Sequence, residues 1–251
     1  MPIDFAALAV ALAGVVLIAF MRGAFGGGFA IIGIPLLSLV MDPITAGALL
    51  APLFIAMDVV ALRYWKPSTW SKPDLIVLVP AMVAGIAIGF AIMSSVDHAL
   101  IAIVVAVITL GFAGLWFLGG GKVERRPRST PRAIAHGAAS GITSMIAHSG
   151  GPALAMYLLP LGLPKHIYAG TTSVYFTVTN ATKAGPWLLI GAPTRATWLL
   201  MLLCVPAVPL GIWAGWKLHE RLDQQQMYRA CYALLVVTAL KLLFDGVSGL
   251  R

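Results

Sequence analysis

The sequence predicts an all-α polytopic membrane protein. It reads as two repeats of about five segments each, four full helices plus one short half-helix, related by an inverted pseudo-two-fold. Three observations carry this. The first is composition: of 251 residues, 60% are hydrophobic and 10% charged, against about 25% charged in a soluble domain. A soluble fold of this size has no interior able to hide so much apolar surface. The second is punctuation, because apolar runs close to the ~20 residues that span a bilayer alternate with polar, Gly or Pro breaks. The third is self-similarity. Pro80-Ala-Met-Val-Ala-Gly85-Ile-Ala-Ile-Gly89 recurs 126 positions later as Pro206-Ala-Val-Pro-Leu-Gly211-Ile-Trp-Ala-Gly215. Gly27-Gly28 and Gly47 recur 123 positions later as Gly150-Gly151 and Gly170.

In order, the first repeat (1–118) holds segments at 4–21, 28–40, 44–62, 75–94 and 98–118. The second (133–251) holds 133–147, 151–161, 167–190, 196–216 and 227–244. No Lys or Arg precedes the first segment, so it reads as a retained span and not a secretory signal. The second segment of each repeat is too short to cross alone. Undersized segments at corresponding positions are where transporters of internal symmetry build their sites.

The linker 119–132 carries Lys122, Arg125, Arg126, Arg128 and Arg132 against one acid, Glu124. The positive-inside rule puts it in the cytoplasm. Two topologies follow. If each repeat crosses five times, the repeats are inverted and Arg22, Lys165 and the loop from Lys217 to Arg229 all fall inside. If the short segments re-enter without crossing, the repeats run parallel and Lys165 and that loop fall outside. The first obeys the charge rule and is preferred.

The glycines around the short segments draw the chemistry. Gly26-Gly27-Gly28 precedes one, and His148-Ser149-Gly150-Gly151-Pro152 precedes the other. A half-helix beginning there directs unpaired amides and a positive dipole end into the protein, which suits an anion. The alternative is that these glycines only let helices pack closely. His148 is read either as a hydrogen-bond donor or proton shuttle, or as a packing residue. Ser149 adds a donor.

A second polar feature lies between Gly170 and Lys183. Thr172, Phe176, Thr179, Asn180 and Lys183 share about a third of a helix circumference. Their counterparts 123 positions earlier are Leu49, Leu53, Ala56, Met57 and Val60. A polar stripe with a lysine in a spanning helix faces protein or water, so it is expected to line the substrate path. Alternatively, Lys183 snorkels to the interface beside Gly185-Pro186. Asp58 lies mid-segment, where it takes a coupling proton or pairs with Arg22 or Lys183. Arg22 closes the first span, as an interfacial anchor or as a substrate ligand, and is also a candidate partner of that acid.

The expected substrate-binding set is therefore Gly27, Gly28, His148, Ser149, Gly150, Gly151, Thr172, Asn180 and Lys183. Asp58 and Arg22 are expected as a coupling or ion pair. No P-loop, HExxH, GxSxG or paired-cysteine pattern occurs, so no catalytic residue, cofactor or metal is expected. Cys204 and Cys231 sit in apolar runs as packing residues. The formal net charge of +8 is confined to a few loops and reads as topology, not as nucleic-acid binding.

Gly23-Ala-Phe-Gly26-Gly27-Gly28 with Pro35, the copy at Ser149-Gly150-Gly151 with Pro160, and Ala169-Gly170-Thr171-Thr172-Ser173 together resemble the TauE/SafE sulfite-exporter family over essentially the whole chain. The resemblance implies a bacterial plasma-membrane transporter of small anions, often sulfite, thiosulfate, sulfonates or sulfoacetate. The chain departs from that family in its His-Ser-Gly-Gly run. It also lacks the cysteine that related thiosulfate transporters place in these segments. The expected function is secondary transport of sulfite or an organosulfonate by alternating access. An anion channel of the same architecture and a non-transporting accessory subunit are the alternatives. The expected partners are a small anion and the lipid bilayer, with a homodimer left open.

Overall fold

The computed structural model describes residues 5–29, 43–121 and 125–249, and all regular structure among them is helical. In chain order the helices are α1 (Phe5–Phe25), α2 (Pro43–Ala61), α3 (Lys72–Ile92), α4 (His98–Leu118), α5 (Thr130–Ala147), α6 (Gly150–Leu158), α7 (Lys165–Gly191), α8 (Arg195–Cys204), α9 (Ala207–Arg221) and α10 (Gln224–Gly249). Short 3₁₀ turns occupy Pro67–Thr69 and Leu159–Leu161. Four helices (α1, α3, α4 and α10) are long and apolar enough to span a membrane, and α8 with α9 makes a fifth candidate. The chain is thus a multi-pass membrane protein. The expected short segment 28–40, with Pro35, lies almost wholly outside the described residues.

Two helix starts are capped by side chains. The Asp97 carboxylate accepts the Ala99 and Leu100 amides and caps α4. The Thr194 hydroxyl accepts the Thr197 amide and caps α8. One expectation changes: the run 196–216, read as a single span, is two helices bent by 42°. Pro206 and Pro209 have no amide hydrogen to continue the ladder, so the helix breaks there.

Hydrogen bonds show which helix ends share the end of the bundle occupied by the linker. The Arg126 amide donates to the Pro160 carbonyl at 2.7 Å. Arg128 Nε reaches the Asp74 carboxylate at 3.2 Å, and the Ser71 amide donates to Thr171 Oγ1 at 2.8 Å. Lys165 Nζ donates to the His219 carbonyl at 2.8 Å, and Tyr228 Oη to the Leu163 carbonyl at 2.8 Å. His219 Nδ1 lies 2.8 Å from the Ala24 carbonyl oxygen, and the Trp65 ring meets the His219 ring edge-on. Helices α3, α5, α7 and α10 therefore begin at the linker end, and α1, α2, α4 and α9 finish there. α5 and α6 form a hairpin that returns to it, turning at His148 with φ 50°. Ser140 Oγ donates to the Gly150 carbonyl and His136 Nδ1 meets the Ala153 carbonyl, which ties the two arms together.

The dominant helix pairs are α3 with α5, α1 with α9, α4 with α10 and α2 with α7. Glycine decides the first two. A Cβ on Gly85 would overlap the Ala138 carbonyl, and one on Gly141 the Met82 carbonyl. A Cβ on Gly215 would overlap the Phe20 carbonyl, and one on Gly23 the Ile212 carbonyl. In a bilayer, where lipid tails are as apolar as the helices, such close backbone approach is the main source of association. The repeated Gly85/Gly89 and Gly211/Gly215 motifs are thus helix-packing surfaces. Gly215→Leu and Gly85→Leu should each cost about 1–3 kcal/mol or more, read as a lowered melting temperature in detergent. Gly111→Leu, with nothing within 4 Å of the added carbon, should leave melting unchanged.

Candidate functional site

The two Gly-Gly pairs meet. Gly26 and Gly27 have φ of 79° and 108°, which only glycine adopts without strain, and they turn the chain sharply after α1. That turn brings Gly28 against Gly151, so closely that a Cβ on Gly151 would overlap the Gly28 carbonyl oxygen. Gly151→Ala is therefore expected to remove folded protein from a size-exclusion trace, whereas Ser149→Ala should not.

Beside this contact lies a small polar cavity. It is lined by Arg22, Gly27, Gly28, Phe54, Ser144, His148, Gly151, Phe176, Asn180 and Lys183. Its free space is about 10 Å³, room for roughly one water. The cavity is small, and a larger ligand requires its walls to part.

The charges around it are buried and ordered. Arg22 is 1% exposed, Asp58 2% and Lys183 3%. Arg22 forms an ion pair with Asp58, and Asn180 Nδ2 donates to the other Asp58 oxygen at 3.0 Å. Lys183 Nζ donates to Ser144 Oγ at 3.1 Å and lies 2.9 Å from His148 Nδ1. An ammonium has only donors, so His148 Nδ1 accepts and the ring proton sits on Nε2. That Nε2 is buried and has no partner among the described residues. The Phe54 ring lies between the two cations, 5.5 Å from the Arg22 guanidinium and 5.3 Å from the Lys183 ammonium. Two bases thus face one acid, and the unused polar capacity is mostly donors. α6 begins at the cavity, so its first-turn amides, which have no partner inside the helix, add to that field.

Most of the expected residues come together here. Gly27, Gly28, His148, Gly151, Asn180 and Lys183 line the cavity, with Arg22 among them and Asp58 behind it. Thr172 packs against Gly28, and its hydroxyl has no partner among the described residues. Ser149 and Gly150 do not line the cavity. The Ser149 hydroxyl turns back to the Thr143 carbonyl at 3.3 Å, and the Gly150 carbonyl is taken by Ser140. Thr179 donates to the Tyr175 carbonyl within its own helix. The anchoring reading of Arg22 and the snorkelling reading of Lys183 are both corrected by burial: neither side chain reaches the surface. Gly47 and Gly170 serve packing, because a Cβ would overlap the Trp187 ring at one and Thr69 at the other.

Phe54 and Ser144 were not anticipated. Phe54 lies one turn before Asp58 on the same helix face, and Ser144 one turn after Ser140 on α5. Those i, i+4 relations were the available signal.

Charges enclosed between spanning helices are costly and mark functional sites. The fold defines a multi-pass membrane protein, and the cavity gathers buried charges carried by α1, α2 and α7. The chain matches the family described as sulfite exporter TauE/SafE over residues 10–242. It belongs to that family and is a transmembrane transport protein. No curated protein and no solved structure matches it.

Proposed function

We propose that the protein is a secondary transporter that moves a small sulfur-containing oxyanion, sulfite or an organosulfonate, across the bacterial inner membrane by alternating access. The observation that carries this is the small polar cavity at the Gly28–Gly151 contact. Its lining combines Lys183, Arg22, the His148 Nε2 proton and the start of α6. Preorganised donors of this kind match the oxygens of a sulfur oxyanion and need no proton of their own. The family match supports the anion class.

The repeats are inverted on this reading. Support comes from direction: α1, α2 and α4 end at the linker end, while their counterparts α5, α7 and α10 begin there. α3 begins at that end and its counterpart α9 finishes there. Support also comes from exchange, since the α1–α9 and α3–α5 pairs are the same pairing taken from each side. The linker 119–132 is cytoplasmic by its charge. Rocking one repeat against the other opens the cavity to either side.

Reconstitution in liposomes with radiolabelled sulfite, taurine-class sulfonates and chloride tests this. Saturable flux of a sulfur oxyanion, with mutual competition, is the expected result. Non-saturating flux would replace the transporter with a channel. No flux and no ligand-dependent melting shift across the panel would leave only a scaffold role.

A further inference from the structure

A second feature lies at the linker end, where α4 finishes and α10 begins. Trp116 and Tyr232 stack face to face, with ring centroids 4.1 Å apart and planes 5° apart, and Phe112 stacks on the other side of Tyr232. This aromatic stack floors a cleft of about 280 Å³ whose rim carries Arg126 and Pro160. Across Trp116 a second cleft opens, bounded by Phe117 and Arg229. The Arg126 amide is held by the Pro160 carbonyl, so the linker is pinned over the cleft and does not swing freely.

Some bases of the chain are paired and others are not. Arg128 has Asp74, Lys217 has Glu220 and Lys241 has Asp245. Arg126 and Arg229 are exposed and have no side-chain hydrogen bond or ion pair among the described residues. The Trp116 indole N–H, on a side chain 9% exposed, also lacks a partner. Below the clefts, α4 and α10 continue as exposed apolar faces through Leu115, Ile108, Leu240 and Phe244.

We propose that this aromatic cleft binds an anionic phospholipid. Arg126 and Arg229 hold the phosphodiester, Trp116 donates its indole proton to the headgroup, and the acyl chains lie along α4 and α10. Charge complementarity selects an anionic over a zwitterionic lipid, as basic pockets beside spanning helices do. The apolar walls select a lipid over a soluble phosphate, which gains nothing from an aromatic floor or the helix faces beneath it. Tryptophan at such a position is amphipathic in the sense the interface requires.

The test uses the full chain in detergent, with phosphatidylglycerol or phosphatidylcholine of identical chains added, and inorganic phosphate as the headgroup-only arm. Melting temperature and native mass spectrometry are the readouts. Phosphatidylglycerol should raise melting and remain bound, whereas phosphatidylcholine and phosphate should do neither. The double variant Arg126→Gln/Arg229→Gln should bind phosphatidylglycerol about thirtyfold more weakly, from the two lost cations. Arg63→Gln, an exposed basic residue away from the clefts, should bind as the unmodified protein does. Both sites are exposed, so folding is preserved, and a monodisperse elution profile confirms it. Equal responses to the two lipids, a full response in the double variant, or reproduction of the response by phosphate would each overturn the proposal.

Discussion

Lys183→Met should sharply reduce sulfur-oxyanion flux below saturation while leaving the protein folded. Methionine keeps the length and most of the apolar stem but removes the charge, so Ser144 and His148 lose only a donor they can replace with water. The anion loses its one cation that is not already matched by a carboxylate. A hydrogen bond to a charged group is worth about 1.5–3 kcal/mol, so binding should weaken roughly ten- to a hundredfold. The position is buried, which amplifies the loss. Flux at substrate concentrations below saturation, and the ligand-dependent melting shift, should both fall. A Lys183→Met protein that transports normally would remove Lys183 from the site.

Asp58→Asn should do something different: it should unfold the protein. Arg22 is buried against Asp58, with Phe54 beside it and Asn180 holding the far carboxylate oxygen. Removing the acid strands a guanidinium between helices, which costs about 3–5 kcal/mol. Arg22→Met/Asp58→Leu removes both charges, and replacement of a buried pair by apolar groups is often neutral or better. The double variant should therefore recover expression and melting temperature. Its transport separates two roles for Arg22. If the arginine only answers Asp58, flux returns with the fold. If it also faces the anion, as its place in the cavity wall suggests, flux stays low in a well-folded protein. Detergent melting and liposome flux, measured on both variants, decide it.

Much of this was legible because membrane helices announce themselves locally. Composition and run length placed α3, α4 and α10 within a few residues. Glycine pairs before short segments, and a lysine with Asn180 on one helix face, pointed to the cavity without any tertiary knowledge. What stayed hidden needed contacts. Phe54 sits in an apolar helix among other apolar residues, and only the approach of two cations distinguishes it. Arg22 looked like the end of a span because the apolar run stops there, yet α1 continues to Phe25 and buries it. The α8–α9 break was masked by the high hydropathy of the residues around Pro206. The return of α6 to the linker end rests on long-range bonds that no local pattern encodes, from the Arg126 amide to the Pro160 carbonyl and from Tyr157 Oη to the Asp74 carboxylate.

The pairing of α1 with α9 also sets a schedule for the cell. α1 is the first of the described helices to leave the ribosome, but the surface that receives Gly23 belongs to a helix made almost at the end. The bond between His219 and Ala24 closes over 195 positions. Until α9 arrives, the small-residue face of α1 is covered by lipid alone, and Arg22 waits for Asp58 on α2. A chain stalled after α8 thus lacks α9 and the α10 span, and leaves a bare glycine seam exposed in the bilayer. That seam offers membrane proteases a mark by which to tell an incomplete chain from a finished one.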